Sequence, residues 1–151
     1  MFKFGKLISA DGDNFVRYAK YGKDFVVVKG LYAGYDDSYD LYMQEMKYQV
    51  LLSEKGFAPK LIRKDIKTLK DKRKFVMWVS EDAGLPIEEE DVPSANKLLD
   101  DLYDMGIILD PYLCQQLFVK GFDNKIRVTD FKNTETYSGK HNRKYIQWKA
   151  S

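Results

Sequence analysis

The sequence predicts an α+β fold, because segments typical of strands and two helical segments follow one another without regular alternation. Residues 2–30 contain three runs rich in β-branched and aromatic residues. Residues 36–56 and 94–105 instead repeat apolar side chains at helical spacing. The predicted order is several strands, one helix, more strands, one helix and a short hairpin.

In the first half of the chain, the predicted elements are separated by glycines and turns. Strands are predicted at 2–10, 14–22 and 24–30. A helix follows over 36–56, with Gly56 at its end. Residues that can cap its first turn are Asp37, Ser38 and Asp40.

The second half begins with two strands within 60–80 around a basic hairpin tip. A loop at 84–95 leads into a helix from about Ser94 to Met105, whose leucines form an apolar stripe. Residues 114–131 read as a hairpin with "GFDN" at the turn.

The composition is that of one ordered domain. Of the 151 residues, 44% are hydrophobic and 15% aromatic, and the net charge of +2 does not favour nucleic acid or membrane. One cysteine and one histidine exclude an intramolecular disulfide and a His/Cys zinc site. Without a signal-like start or an apolar run long enough to span a bilayer, we expect no membrane association and a cytoplasmic location.

Two charged residues stand where apolar side chains are expected. Lys29 ends an apolar strand, on the same face as Phe25 and Val27. Glu45 interrupts the apolar stripe of the first helix. Burying either charge alone is costly, so one interpretation is that the two meet as an ion pair. The alternative is that Lys29 extends to solvent and Glu45 lies at the edge of the stripe.

The strand lysine, the helix glutamate and the later "VTDF" follow one another in the order found in protein kinases, and the chain resembles the protein-kinase-like fold. The resemblance covers nearly the whole chain and is nearest to the minimal effector kinases of enteric pathogens (the OspG and NleH type). It implies one minimal kinase-like domain over 1–151. An antiparallel N-lobe sheet with an αC-like helix would occupy about 1–80, and a reduced C-lobe about 81–151.

The resemblance also implies a nucleotide site for ATP and Mg²⁺. Lys29 would hold the α- and β-phosphates, Glu45 would orient Lys29, and Asp130 would bind the metal. Met77 falls near the gatekeeper position, and Val79 leads into the hinge beside the adenine.

The predicted catalytic loop departs from the kinase pattern. If Gln116 replaces the metal-binding asparagine, Pro111 stands where the catalytic aspartate belongs, and Asp110 is the remaining candidate base. Leu113 replaces the phosphate-contacting lysine of that loop, and Lys132 replaces the glycine that normally follows Asp-Phe. The loop predicted to cover the phosphates contains one glycine, Gly12, flanked by aspartates.

Three functions are consistent with these residues. The favoured hypothesis is a pseudokinase or very weak kinase that binds and modulates another protein. By analogy, that protein would be a host or competitor signalling component, such as the ubiquitin-conjugation machinery, and the chain would then act in the host cytoplasm. The alternatives are an active, atypical ATP-dependent Ser/Thr protein kinase and a nucleic-acid-binding protein that uses the basic residues of 60–74. For 60–74 itself, the favoured interpretation is a solvated hairpin tip, with a patch for nucleic acid or for an acidic protein surface as the alternative.

Two further segments have more than one interpretation. The acidic run "IEEED" at 87–91 is interpreted as a solvated loop in preference to a metal site. The segment 137–151 has the spacing of a short helix or strand that packs back over the core, with an independent peptide motif as the alternative.

Overall fold

The computed structural model describes residues 2–11, 14–33, 36–68, 70–109, 114–131, 134–137 and 142–150. The architecture is α+β, as predicted, with two α-helices and one five-stranded antiparallel sheet among the described residues. Neither of these helices combines the length and the apolar composition that a bilayer span requires.

The chain divides into two compact units. The first unit comprises Met1–Gln44 and Pro59–Asp82, and the second comprises Glu45–Ala58 and Ala83–Ser151. The chain therefore crosses between the units after Gln44, after Ala58 and after Asp82.

The first unit is built on the five-stranded sheet. Its strands are β1 (Phe2–Asp11), β2 (Asn14–Tyr21), β3 (Asp24–Ala33), β4 (Leu61–Thr68) and β5 (Lys74–Glu81). They lie in the order β1-β2-β3-β5-β4, and every neighbouring pair is antiparallel. The strands β1 and β4 are therefore the two edges.

One face of this sheet carries a small apolar cluster. Val26 and Val28 of β3 have no exposed surface, and they pack with Ala19 and Val79. By the two-residue period of a strand, Phe25 and Lys29 lie on the opposite face. Phe25 is 71% exposed, so the side of β3 that begins with Phe25 is open to solvent at that end.

Helix α1 (Asp36–Ser53) connects β3 to the segment before β4 and ends where the sequence predicts. Gly56 has φ +78°, Gly56 N donates to the Ser53 carbonyl, and Phe57 N donates to the Leu52 carbonyl. These two bonds form a Schellman motif, which uses glycine because the backbone there is left-handed. The three predicted caps lie inside the helix, which begins at Asp36.

The second unit has one main core. It contains α2 (Val92–Asp104) and five short strands, which are β6 (Leu85–Pro86), β7 (Ile107–Ile108), β8 (Phe118–Lys120), β9 (Ile126–Val128) and β10 (Glu135–Thr136). The hairpin β8–β9 and its turn at 121–125 match the predicted hairpin. The pairs β6–β8 and β10–β7 were not predicted.

The core of this unit joins distant parts of the sequence. Tyr48 and Leu52 from α1 lie in the same cluster as Leu102 of α2, Phe118 of β8 and Phe131. Burial of such apolar side chains is the main stabilising contribution available to a unit of this size.

The C-terminal strap, defined as residues 142–150, packs against α2 without forming a helix or strand. Arg143 binds two carboxylates of α2, Asp100 at 3.0 Å and Asp104 at 2.6 Å. The hydroxyl of Tyr145 also donates to Asp100 Oδ1, at 2.6 Å. The strap is therefore held by ionic and hydrogen-bonded contacts where the sequence predicted a regular element.

Backbone groups of the strap are bound by side chains as well. Tyr103 Oη donates to the Lys144 carbonyl at 2.5 Å, and Ile146 N donates to Asn96 Oδ1 at 2.9 Å. Ile146 is buried in the core of the second unit, and Trp148 is half-buried against it. These contacts cover part of the core, as the sequence analysis expected of this segment.

The strap should loosen in acid, because its anchor Asp100 has a lowered pKa. The hydrogen bond from Tyr145 and then the Arg143 guanidinium lower this pKa. A carboxyl group whose pKa is lowered by folding stabilises the folded state fully above its pKa in the unfolded chain, about 3.9. This stabilisation is lost as the pH falls through its pKa in the folded state. In an NMR titration, the Ile146 amide should shift below about pH 4. Asp100→Asn should lack that step, and the same step in this variant would contradict the assignment.

Candidate functional site

Lys29 lies in the middle of the large sheet, beside the ring of Trp78. Its cross-strand partner on β5 is Trp78, and its Nζ lies 5.9 Å from the centroid of the Trp78 ring. Tyr42 of α1 packs on the same tryptophan, with ring centroids 5.2 Å apart. The lysine is half-buried, and an ammonium at this distance from an indole ring is attracted to its face.

Met77 and Val79, the other residues assigned to the nucleotide, lie on the opposite face of the sheet from Lys29. Directly opposed residues of antiparallel strands share a face, and here Val79 opposes Val28 while Met77 opposes Gly30. A ligand resting on one face would therefore contact the side chain of Lys29 or those of Met77 and Val79. Trp78 is the β5 residue that the register places next to the lysine.

Trp78 is also unusual in its own hydrogen bonding. It is 1% exposed, and no acceptor for its Nε1 is found among the described residues. A buried donor without an acceptor is uncommon in folded proteins. The position of Trp78 beside Lys29 could not be predicted from the sequence, because it depends on the register between β3 and β5.

Glu45 meets the segment that follows the predicted metal aspartate. Phe131 N donates to Glu45 Oε1 across a long 3.4 Å, and the two residues are 86 positions apart in the sequence. Phe131 is 2% exposed, so its N–H is withdrawn from water. Within the second unit, α1 therefore supplies a carboxylate to the backbone immediately after Asp130.

Asp130 and Gln116 are brought to the same end of the β8–β9 hairpin. Thr129 N donates to the Leu117 carbonyl at 2.8 Å, and the two candidate metal ligands are the next residues outward from that bond. Gln116 is exposed and Asp130 is half-buried. The two residues supply one carboxylate and one amide oxygen, which are ligand types that Mg²⁺ accepts.

These two oxygens do not make a complete cation site by themselves. No group of three His, Cys, Asp or Glu side chains that could hold a metal occurs in the described part of the chain. Mg²⁺ commonly binds through one or two protein oxygens, with water and phosphate oxygens completing the octahedron. With Asp130 and Gln116 as the protein ligands, the remaining positions around Mg²⁺ would be filled by water or phosphate oxygens.

The candidate base Asp110 lies outside the described residues, and so do Pro111 and Leu113 of the predicted catalytic loop. The same is true of Gly12 and Lys132. Of the residues predicted to bind nucleotide or metal, Lys29, Met77 and Val79 belong to the first unit, and Glu45, Gln116 and Asp130 belong to the second.

The acidic run at 87–91 contains a buried structural residue. Glu88, Glu89 and Glu90 are exposed, whereas Asp91 is 7% exposed. Asp91 accepts a hydrogen bond from Glu88 N at 2.9 Å and forms an ion pair with Lys120 at 3.1 Å. The hydrogen bond, followed by the contact with Lys120, lowers the pKa of Asp91. The interpretation of 87–91 as a solvated loop therefore holds for the three glutamates but not for Ile87 and Asp91, which are buried.

Replacing Glu45 should destabilise the protein by removing an acceptor from a buried N–H. We expect Glu45→Ala to lower the free energy of unfolding by about 1–3 kcal/mol. The measurement is urea denaturation, with Glu54→Ala as the control because Glu54 is exposed just beyond the end of α1. Equal effects of the two substitutions would show that the carboxylate of Glu45 makes no special contribution.

Comparison of the chain with models of known protein families gives no match. No curated protein matches it significantly either.

Proposed function

We propose that this chain is a kinase-like protein that binds and modulates a partner protein, with phosphoryl transfer lost or very weak. The observation that carries the proposal is the hydrogen bond from Phe131 N to Glu45. In the kinase resemblance, these residues belong to the glutamate-bearing helix and to the segment of the metal aspartate. Their meeting across 86 positions supports that resemblance beyond the order of motifs in the sequence.

Binding is favoured over catalysis because of what the predicted catalytic loop contains. Phosphoryl transfer depends on positioning the reactants and neutralising charge. Pro111 stands at the base position and Leu113 at the position of the loop lysine. Loss of both groups should reduce the rate by several orders of magnitude, whereas binding of a partner requires neither a catalytic base nor the loop lysine.

Nucleotide binding is part of the proposal. By the kinase resemblance, Lys29 would contact the phosphates, and Asp130 and Gln116 would be the ligands of Mg²⁺. The partner that the resemblance implies is a signalling protein of a host or competitor cell, with ubiquitin-conjugation components as one class.

A thermal-shift measurement with ATP tests the nucleotide part, with and without Mg²⁺. Nucleotide at about ten times its Kd adds about 1.4 kcal/mol to the free energy of unfolding, which raises the Tm of a chain of this size by about 3–6 °C. We expect the shift to disappear in Lys29→Ala and to lose its Mg²⁺ dependence in Asp130→Ala. Lys23→Ala is the matched control, because Lys23 is exposed in the turn between β2 and β3.

A radiolabel transfer assay tests the other part. The proposal expects transfer near background, in Mg²⁺ and in Mn²⁺. Robust transfer that is lost in both Lys29→Ala and Asp130→Ala would instead identify an active kinase. The absence of a thermal shift at millimolar nucleotide would remove nucleotide binding and leave partner binding as the function.

A further inference from the structure

We infer that the edge strand β4 is a docking surface for an extended, acidic segment of a partner protein, which joins the large sheet as an additional strand. The inference rests on the proposed function only in that it assumes a partner. It adds the chemical class of that partner and the surface that receives it.

The first reason is the regular backbone of β4 from Arg63 to Thr68. Among the described residues β4 pairs only with β5, with one register shift between Leu61 and Arg63 and uninterrupted pairing from Arg63 to Thr68. The opposite edge, β1, has two register shifts between Phe4 and Ser9. Such irregularities blunt an edge against further pairing, whereas a regular edge presents evenly spaced backbone donors and acceptors.

The second reason is the mixture of side chains on β4. Ile66 is 41% exposed and Ile62 is 42% exposed, although both are β-branched and aliphatic. Lys64, which lies between the two isoleucines in the sequence, and Lys67, which follows Ile66, are exposed as well. An added strand could cover the isoleucines with apolar side chains and meet the lysines with carboxylates, which are the pairs that stabilise neighbouring strands.

The third reason is the charge of the whole hairpin. Its cations are Lys60, Arg63, Lys64, Lys67, Lys70, Lys72, Arg73 and Lys74. Its two aspartates are already occupied, since Asp65 binds Arg63 at 2.8 Å and Asp71 binds Arg73 at 2.5 Å. The lysines therefore give this edge a positive excess that attracts an acidic strand.

The charge argues against a second copy of this chain, and the side chains argue against nucleic acid. A second copy of β4 would bring like charges together, which is how exposed lysines keep edge strands from pairing with themselves. Nucleic acid is disfavoured because the exposed apolar residues here are aliphatic, and single strands are held by stacking on aromatic rings. An acidic protein segment satisfies both the charge and the isoleucines.

The test uses a short fluorescein-labelled peptide that alternates glutamate and valine, followed by fluorescence anisotropy at low salt with the full chain. We expect saturable binding, and we expect K64E/K67E to weaken it by at least about tenfold. The matched control is K3E/K6E on β1, which makes the same charge change at the other edge and should stay within about twofold. Methylation of alternate peptide nitrogens should abolish binding, because pairing in a sheet needs those N–H groups.

Several results would overturn the inference. They are no binding to the full chain, equal weakening by the two charge-reversal variants, and unchanged binding of the N-methylated peptide. An oligonucleotide of equal charge that binds more tightly than the peptide would assign the surface to nucleic acid. The thermal shift with ATP is also measured on K64E/K67E. If this variant keeps the shift, a failure of the peptide test overturns the docking proposal and leaves the nucleotide proposal unaffected.

Discussion

Leu102→Ala is expected to lower the free energy of unfolding by about 2–5 kcal/mol. Leu102 has no exposed surface and lies in the core that joins α1, α2 and the β8–β9 hairpin. Truncation removes buried methyl groups and leaves a cavity that the surrounding side chains fill only in part. Urea denaturation followed by far-ultraviolet circular dichroism measures the change.

The matched control is Leu41→Ala in α1. Leu41 is 66% exposed, so the same substitution in a helix should change stability by less than about 0.5 kcal/mol. A comparable loss in both variants would contradict the burial of Leu102. Leu102→Ala also helps to interpret activity data, because it disturbs the core around Phe131 without touching any proposed ligand residue.

Gly84→Ala is expected to destabilise the protein by at least about 2 kcal/mol. Gly84 has φ +117°, and a Cβ there would overlap the Lys120 carbonyl oxygen and approach Gly121 Cα to 2.8 Å. Both neighbours are backbone atoms, so neither can turn aside as a flexible side chain would. The pairing of Leu85 with Lys120 should be lost as well, because it depends on the close approach of Gly84 to β8. Thermal unfolding measures the loss of stability, and the NMR signal of the Lys120 amide reports the loss of the pairing.

The substitution Gly56→Ala distinguishes the cost of a left-handed backbone from the cost of a steric overlap of the added Cβ. Gly56 also has a positive φ, of +78°, but no heavy atom lies within 4 Å of an added Cβ. It should therefore cost only the penalty of a left-handed alanine, about 1–2 kcal/mol. If Gly84→Ala and Gly56→Ala were equally destabilising, the close approach of Gly84 to β8 would be unsupported.

The local elements of the fold could be predicted from the sequence. The strand runs before residue 33, the end of α1 at Gly56 and the β8–β9 hairpin depend on spacing and turn chemistry, which are local properties. Strand β6 could not be predicted in this way. Its two residues, Leu85 and Pro86, sit in a loop-like sequence and become a strand only because Lys120 and Val119 lie opposite.

The candidate site was predictable in its residues but not in its geometry. The sequence order singled out Lys29, Glu45 and Asp130, and nothing in it shows that Trp78 lies beside Lys29 while Met77 and Val79 lie on the other face. That distinction depends on a one-residue register between strands that are far apart in sequence. The exposure of Leu41 shows the same limit, because helical spacing places it in the apolar stripe although no neighbour covers most of its side chain.

The turn that ends α1 also limits where the chain can change in length. Phe57, whose N–H closes that turn, accepts a hydrogen bond from Val128 N at 2.8 Å through its carbonyl oxygen. Asp130 lies two residues beyond Val128. The hydrogen bond between Val128 and Phe57 therefore sets the position of the end of the β8–β9 hairpin relative to the last turn of α1. An inserted residue at 54–56 would displace that carbonyl and the aspartate with it. The tip of the β4–β5 hairpin carries no such bond among its described residues, so an insertion there would leave the bond between Val128 and Phe57 intact.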